Sequence, residues 1–353
     1  QLDDDAYRAR VEMARGLMLY HVSKHDEAVR TLEDAIDRTE AGGFDEVTAL
    51  ARQHLGFVYA QTGRHEEALA QCVAGLTAAR AAGNRSHESA LLGQQAAALW
   101  ALRRSADAEA TATEAMALAR EVGDWAVVTR VLAKMGSLCS RAGRAEQAAD
   151  AFRQFLEIAE EQGHLAWISF GCGNLGRIYD EMGRLAEGIE RYEQAIRVSR
   201  EQGDRRTESM YRGLLGNVRR KMGDYEGART SVEHSLRILR DVGDRRLEAC
   251  SLNVLGVIEA GRDAYSEAVS LLKTAVALFD RHPYPAGQAY ALRWLGIIHL
   301  RTGDAEEGRR YLEDARTLAE EIRTPQESIP AAAALAALGA ADADEVLRAL
   351  RSH

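Results

Sequence analysis

The sequence predicts an all-α fold: an α/α solenoid of eight helical hairpins followed by a partial ninth. Three observations carry this expectation. Small residues recur every forty positions in four separate columns, the apolar residues between them recur at spacings of three and four, and only 4 of 353 residues are proline. Spacings of three and four line one face of a helix. Scarce proline leaves long helices uninterrupted, and a fixed period of this size marks a stacked repeat.

The first column is Gly16, Gly56, Gly136, Gly176, Gly216, Gly256 and Gly296, with Ala96 in the place the interval skips. The second is Ala28, Ala68, Ala108, Ala148, Gly188, Ala228, Ala268 and Gly308. Both lie inside apolar helical patterns, where glycine costs about 1 kcal/mol relative to alanine, so their recurrence predicts close backbone approach between neighbouring helices. The third column is Gly63, Gly143, Gly183, Gly223 and Gly303, with Ser23, Arg103 and Asp263 in its other places. The fourth runs Gly43, Gly83, Gly123, Gly163, Gly203 and Gly243 and ends at Pro283. These two fall where the apolar pattern breaks and predict turns and helix C-terminal caps.

Each unit therefore holds two helices. In 166–203, a first helix covers roughly 166–182, Met182-Gly183-Arg184 turns the chain, a second covers roughly 186–202, and Gly203 closes the unit. On the second helix Ile189, Tyr192, Ile196 and Val198 accompany Gly188 and Ala195 on or near one stripe. The same frame starts units near residues 5, 46, 86, 126, 166, 206, 246 and 286, filling 1–324. Residues 325–353 contain Pro325, Pro330, an alanine-rich helix around 331–338 and a last apolar run, Val346-Leu347-Arg348-Ala349-Leu350. They read as a degenerate C-terminal capping repeat, atypical because its outer face has no neighbour.

Composition excludes several classes. Hydrophobic residues at 46% and charged residues at 28% fit a packed, folded chain. No run approaches the eighteen or so apolar residues of a membrane span, and no signal segment opens the sequence. Cys72, Cys139, Cys172 and Cys250 are far apart without a CxxC spacing, which predicts a reducing, cytoplasmic setting. A net charge of −9 argues against nonspecific binding to nucleic acid or an anionic membrane. Of the 45 basic residues 41 are arginine, the coding habit of a GC-rich bacterium. The first residue is Gln1 rather than methionine, which leads us to expect a longer natural chain with an upstream effector domain.

Catalytic signatures are missing. No GxGxxG follows a strand pattern, and GxxxxGK[ST] and HExxH are absent, so we expect no enzyme activity and no cofactor. His21 and His25 are four apart, but His25 falls at the turn of the first unit and no third ligand is near; we expect no metal. Cys139 and Cys172 read as reduced thiols, and Asp180 and Glu181 as solvated carboxylates that, on the alternative to a basic groove, neutralise nearby arginines locally.

The columns resemble the tetratricopeptide repeat. Leu175-Gly176-Arg177-Ile178-Tyr179, then Gly183, then Tyr192-Glu193-Gln194-Ala195 carry the likeness, and Leu55-Gly56-Phe57-Val58-Tyr59, Gly63 and Glu67-Ala68 repeat it. The forty-residue spacing, Leu215-Gly216-Asn217, and the recurring Gly203-Asp204-Arg205-Arg206 and Gly243-Asp244-Arg245-Arg246 are similar to a longer-unit subclass. That subclass occurs in adaptors with Leu-Gly-Asn signatures, in kinesin light chains and in sensor arms of bacterial signalling ATPases and regulators. The resemblance implies a right-handed superhelix whose first helices line a groove that takes protein or peptide segments. Arg103, Asp263, Gly188, Gly308 and Pro283 depart from the pattern, and Pro283 predicts a distinct bend after the seventh unit.

In that frame the inward positions read Leu17, Tyr20 and His21, then Phe57 and Gln61, then Trp100. From the fourth unit they become Arg130, Arg141, Arg177, Asn217, Arg220, Lys221, Asn253, Arg293 and Arg301. Arginine forks suit carboxylates and phosphates, and asparagine can bond an extended backbone. The expected function is a non-catalytic scaffold or sensor that binds an acidic or phosphorylated segment. A small-ligand or nucleotide sensor and an RNA-binding repeat are the alternatives; overall acidity and the lack of a repeated base-reading set count against RNA.

Overall fold

The computed structural model describes residues 2–322, 331–332 and 334–335. Among these residues all regular structure is helical, in the order α1 (Leu2–His21), α2 (His25–Ala41), α3 (Asp45–Gln61), α4 (His65–Ala81), α5 (Arg85–Ala101), α6 (Ser105–Val122), α7 (Trp125–Arg141), α8 (Ala145–Glu161), α9 (Leu165–Glu181), α10 (Leu185–Glu201), α11 (Arg205–Lys221), α12 (Tyr225–Val242), α13 (Arg245–Gly261), α14 (Tyr265–Arg281), α15 (Pro285–Arg301) and α16 (Ala305–Glu321). They form eight hairpins of an α/α solenoid. The expected capping repeat lies outside the described residues, except that 331–332 and 334–335 are helical, with Ala331 and Ala334 buried. No described helix is long and apolar enough to cross a membrane.

The chain divides into two compact units, residues 1–158 and 159–353, the division falling inside α8. In the first unit each helix from α1 to α7 packs on the next, and α1, α3, α5 and α7 also pack in file. In the second unit each helix from α9 to α16 packs on the next, and α9, α11, α13 and α15 form the corresponding file. The odd-numbered helices thus make one layer of each unit and the even-numbered helices the other.

The small columns are explained by packing within the hairpins. A Cβ on Gly216 would lie 2.4 Å from Val232 Cγ2 and 3.1 Å from the Ala228 carbonyl oxygen. On Gly256 or Gly296 it would lie 2.7 Å from Leu272 Cγ or Leu312 Cγ. The obstructing side chain stands sixteen positions after each glycine, in a column of Leu32, Cys72, Ala112, Phe152, Tyr192, Val232, Leu272 and Leu312 that is fully or almost fully buried. Volume compensates along it. Where Ala96 replaces the glycine the column holds Ala112, and beside the small Cys72 a Cβ on Gly56 would have ordinary contacts of 3.5 Å or more.

The turn columns are selected by torsion alone. Gly183 has φ +74°, and nothing lies within 4 Å of a Cβ built there. Ser23, Arg103 and Asp263, which hold this column without glycine, adopt the same left-handed conformation, with φ of 61°, 61° and 60°. A side chain at such a φ costs about 1–2 kcal/mol, partly offset by its smaller loss of backbone entropy on folding. We expect Arg103→Gly to stabilise the protein by about 1 kcal/mol, a rise of about 2–4 °C in thermal midpoint for a unit of this size. A lower midpoint would show that the exposed Arg103 side chain makes up for the strain. At Pro283 the pattern changes: His282 (φ −129°) and Tyr284 (φ −146°) have left-hand-free backbone, and Pro285 opens α15.

The recurring Gly-Asp pairs join two local devices. Glycine ends one helix in the left-handed conformation, and the aspartate caps the next. The Asp204, Asp124 and Asp244 carboxylates accept from the backbone N–H of Thr207, Val127 and Leu247. A charge ladder ties successive hairpins: Arg80 to Glu88 at 2.6 Å, Arg200 to Glu208 at 3.2 Å and Arg240 to Glu248 at 2.9 Å. In the last such place the roles reverse, and Gln288 donates to Asp280 at 2.8 Å. Burial pushes the Glu208 carboxyl up, but hydrogen bonds from Arg212 and Arg200 outweigh it and hold the group below its ordinary range. This contribution to stability is therefore present above the usual glutamate pKa and is lost as pH falls through the lowered one.

Candidate functional site

In the first unit the file of odd-numbered helices opens a cavity of about 390 Å³ between α3, α5 and α7, floored by Ala68 and Cys72 of α4. The glycines make the space. Gly56 and Gly93 bring the backbones of α3 and α5 to its wall without side chains, and Phe57, Ala60, Ala97 and Trp100 supply apolar surface. Arg130 and Lys134 enter from α7, one helical turn apart and so on one face, with Ser137 a turn further on. None of the described residues lining the cavity is acidic.

Arg130 is solvent-accessible, yet its guanidinium sits inside the concavity. Desolvation lowers its pKa from the ordinary arginine value, with Asp124 pulling the other way. Desolvation likewise lowers Lys134, and the like charge of Arg141 adds to it. Among the described residues neither cation has an ion pair or hydrogen bond to a side chain, and Arg141, exposed at the end of α7, has none either. These three, at i, i+4 and i+11, form a cationic stripe along one helix. Burial pushes the Cys72 thiol up to about 12, so the floor of the cavity carries no reactive thiolate.

The structure brings together Phe57, Gln61, Trp100 and Arg130 of the residues singled out from the sequence. Tyr20 borders them, its ring edge-on to Phe57 at 5.5 Å and flanked by His21 and His25 at 5.3 and 5.4 Å. No three His, Cys, Asp or Glu residues among those described are grouped to hold a metal. In the second unit Arg177 pairs with Glu181 at 2.5 Å, and Lys221 donates to Asp180 at 2.7 Å. Asn217 Oδ1 accepts from the Arg220 guanidinium at 3.2 Å. Asn253 is buried and donates to the Gly287 carbonyl at 2.8 Å, joining α13 to α15. The Arg293 guanidinium lies over the rings of Tyr290 and Trp294, and Arg301 is half-buried with its Nε enclosed.

Sequence reasoning missed Lys134 and Gln94. The former had a signal: it stands one turn after Arg130 and is one of four lysines in an arginine-rich chain. The literal GxGxxG at residues 171–176 lies in the middle of α9, where a Cβ on Gly173 would fall 2.2 Å from the Tyr211 ring. Its glycines serve helix packing.

Paired helices repeated at a fixed period, with a layer of first helices that opens a cavity, define a helical-hairpin repeat scaffold. Tetratricopeptide repeat models match residues 7–81, 87–161 and 206–281, and a second such model matches 171–202. The chain belongs to the tetratricopeptide repeat family. No curated protein matches it in sequence. Among solved structures it is similar to a signal transduction ATPase with numerous domains that carries a tetratricopeptide repeat sensor, from Pyrococcus horikoshii. That likeness has a TM-score of 0.68 at 15% identity over 92% of this chain and 48% of the other. It is similar also to the apo quorum sensor NprR from B. thuringiensis, with a TM-score of 0.63 at 16% identity over 88% and 87% of the two chains. The apo form of RapI matches with a TM-score of 0.55 at 14% identity over 89% and 99%. At these identities the likeness is one of fold.

Proposed function

We propose that the chain is a scaffold or sensor arm that binds a protein or peptide partner through an acidic segment, with the α3–α5–α7 face as its main anchor. The observation that supports this most is the stripe of Arg130, Lys134 and Arg141, which among the described residues have no side-chain ion pair or hydrogen bond, beside the apolar surface of Phe57 and Trp100. Cations already paired within the protein have less to gain from a ligand, and Arg177 and Lys221 are paired. In a chain of net charge −9 such a stripe steers an anionic segment toward one face.

The test uses the partner recovered by pull-down and compares Arg130→Glu with Arg141→Glu against Arg197→Glu with Arg237→Glu, two exposed arginines on α10 and α12. After circular dichroism has shown that both variants fold, the α7 pair should lose about a hundredfold in affinity at low salt and the outer pair less than about threefold. Equal affinities for the two variants across a salt series would end the proposal.

A further inference from the structure

We propose that the α3–α5–α7 cavity is a ligand site for an amphipathic anion, holding an apolar group against Phe57 and Trp100 and a carboxylate or phosphate between Arg130 and Lys134. This rests on the reading of that face as the binding face and adds the chemistry of what enters it. Four features of the cavity converge on this ligand.

The first is volume. At about 390 Å³ the space is in the range of sites that enclose a small molecule or a few side chains, whereas a surface stripe would need no depth. The second is the asymmetry of its lining: Phe57, Ala60, Ala97, Trp100 and Val131 are apolar, while the formal charges come from α7 and have one sign. An uncharged apolar ligand would leave both cations desolvated without a counter-ion, and a fully polar one would leave the aromatic wall wet. Third, two like charges one turn apart repel each other, and a single anionic head relieves that repulsion while receiving charge-assisted hydrogen bonds. Desolvation, with the like charge of Arg141 adding to it, lowers the Lys134 pKa, and a bound anion would oppose both. Fourth, a cationic or zwitterionic ligand finds no acceptor carboxylate, because none of the described lining residues is acidic.

The same chemistry can come from a free amphiphile or from a partner segment in which a large apolar side chain adjoins an acidic one. Calorimetric titration of the full chain with 6-phenylhexanoate, 6-phenylhexanol and 6-phenylhexylamine reads the head-group requirement. The acid should bind about tenfold more tightly than the alcohol, and the amine more weakly than either. Arg130→Gln with Lys134→Gln should erase the preference of acid over alcohol, while Arg197→Gln with Arg237→Gln should leave it intact. Ala97→Leu, which fills the cavity without touching its charge, should weaken acid and alcohol alike. A second arm compares acetyl-Phe-Glu-amide with acetyl-Phe-Gln-amide. A glutamate preference that exceeds the acid-over-alcohol preference assigns the natural group to a peptide, the reverse assigns it to a free amphiphile, and both uphold the site. Equal binding of acid and alcohol, an acid preference that survives in the α7 double variant, or no binding of any probe overturns it. If partner capture depends on Arg130 and Arg141 while no probe shows the preference, the function stands and the ligand site falls.

Discussion

Gly216→Leu is expected to destabilise the second unit by about 3 kcal/mol, the upper end of what overpacking a core costs. The obstacles are of two kinds. Val232 Cγ2 lies 2.4 Å from the position of the new Cβ and can turn away, but the Ala228 carbonyl oxygen at 3.1 Å belongs to the backbone of α12 and can move only if the hairpin opens. Leucine adds atoms beyond that point in a region with no room. Gly56→Ala supplies the contrast. Its Cβ would meet nothing closer than 3.5 Å, so the helix propensity of alanine should make that change neutral or stabilising by up to about 1 kcal/mol. Ala148→Leu, at a fully buried place in the second small column, should fall between them at about 1–3 kcal/mol. Urea unfolding of the three variants checks the order, and a Gly216→Leu protein as stable as Gly56→Ala would mean the hairpin contact is looser than its geometry.

A loss of about 3 kcal/mol is also expected for Arg262→Ala, for an electrostatic reason. Glu259 on α13 is wholly buried. Its Oε2 accepts from Arg262 at 2.9 Å, whereas the other oxygen has only the Arg229 guanidinium at 3.5 Å and no hydrogen bond. Removing Arg262 leaves a carboxylate in the core with one distant counter-charge. Removing the carboxylate instead leaves Arg262, about 29% exposed, in contact with solvent and with Glu226 at 2.7 Å. Glu259→Met should therefore cost less than about 1 kcal/mol. Equal losses for the two variants would show that shape, and not the stranded charge, sets the cost.

Much of this was legible because a repeat states each structural requirement eight times. Gly183 and Gly203 mark turns whether or not their surroundings are known, since the left-handed torsion is a local property of the backbone. Arg103 shows that the column outranks the residue: the position imposes its φ on a side chain that disfavours it. The buried column from Leu32 to Leu312 is equally visible as a periodic string. That its members face the glycines sixteen places earlier follows only from how the two helices of a hairpin cross, which sets Ala112 as the counterpart of Ala96 and Phe152 as the obstacle at Gly136.

The candidate site divides along the same line. Sequence placed Phe57, Trp100 and Arg130 on first helices, because an inward direction is inherited from the repeat frame. It gave the same standing to Arg177 and Lys221. The sequence offers Asp180 and Glu181 as local counter-charges, but that Asp180 meets Lys221, forty-one residues away on α11, belongs to the contact between two helices and has no signature in either one. The sequence by itself determined the period, the hairpins, the turns and the residue types on each layer, since these depend on torsions and on spacing along one chain. The tertiary structure alone decided which cations are paired between helices and where three helices leave a cavity, because such pairing and empty volume depend on distances between segments that the chain order does not contain.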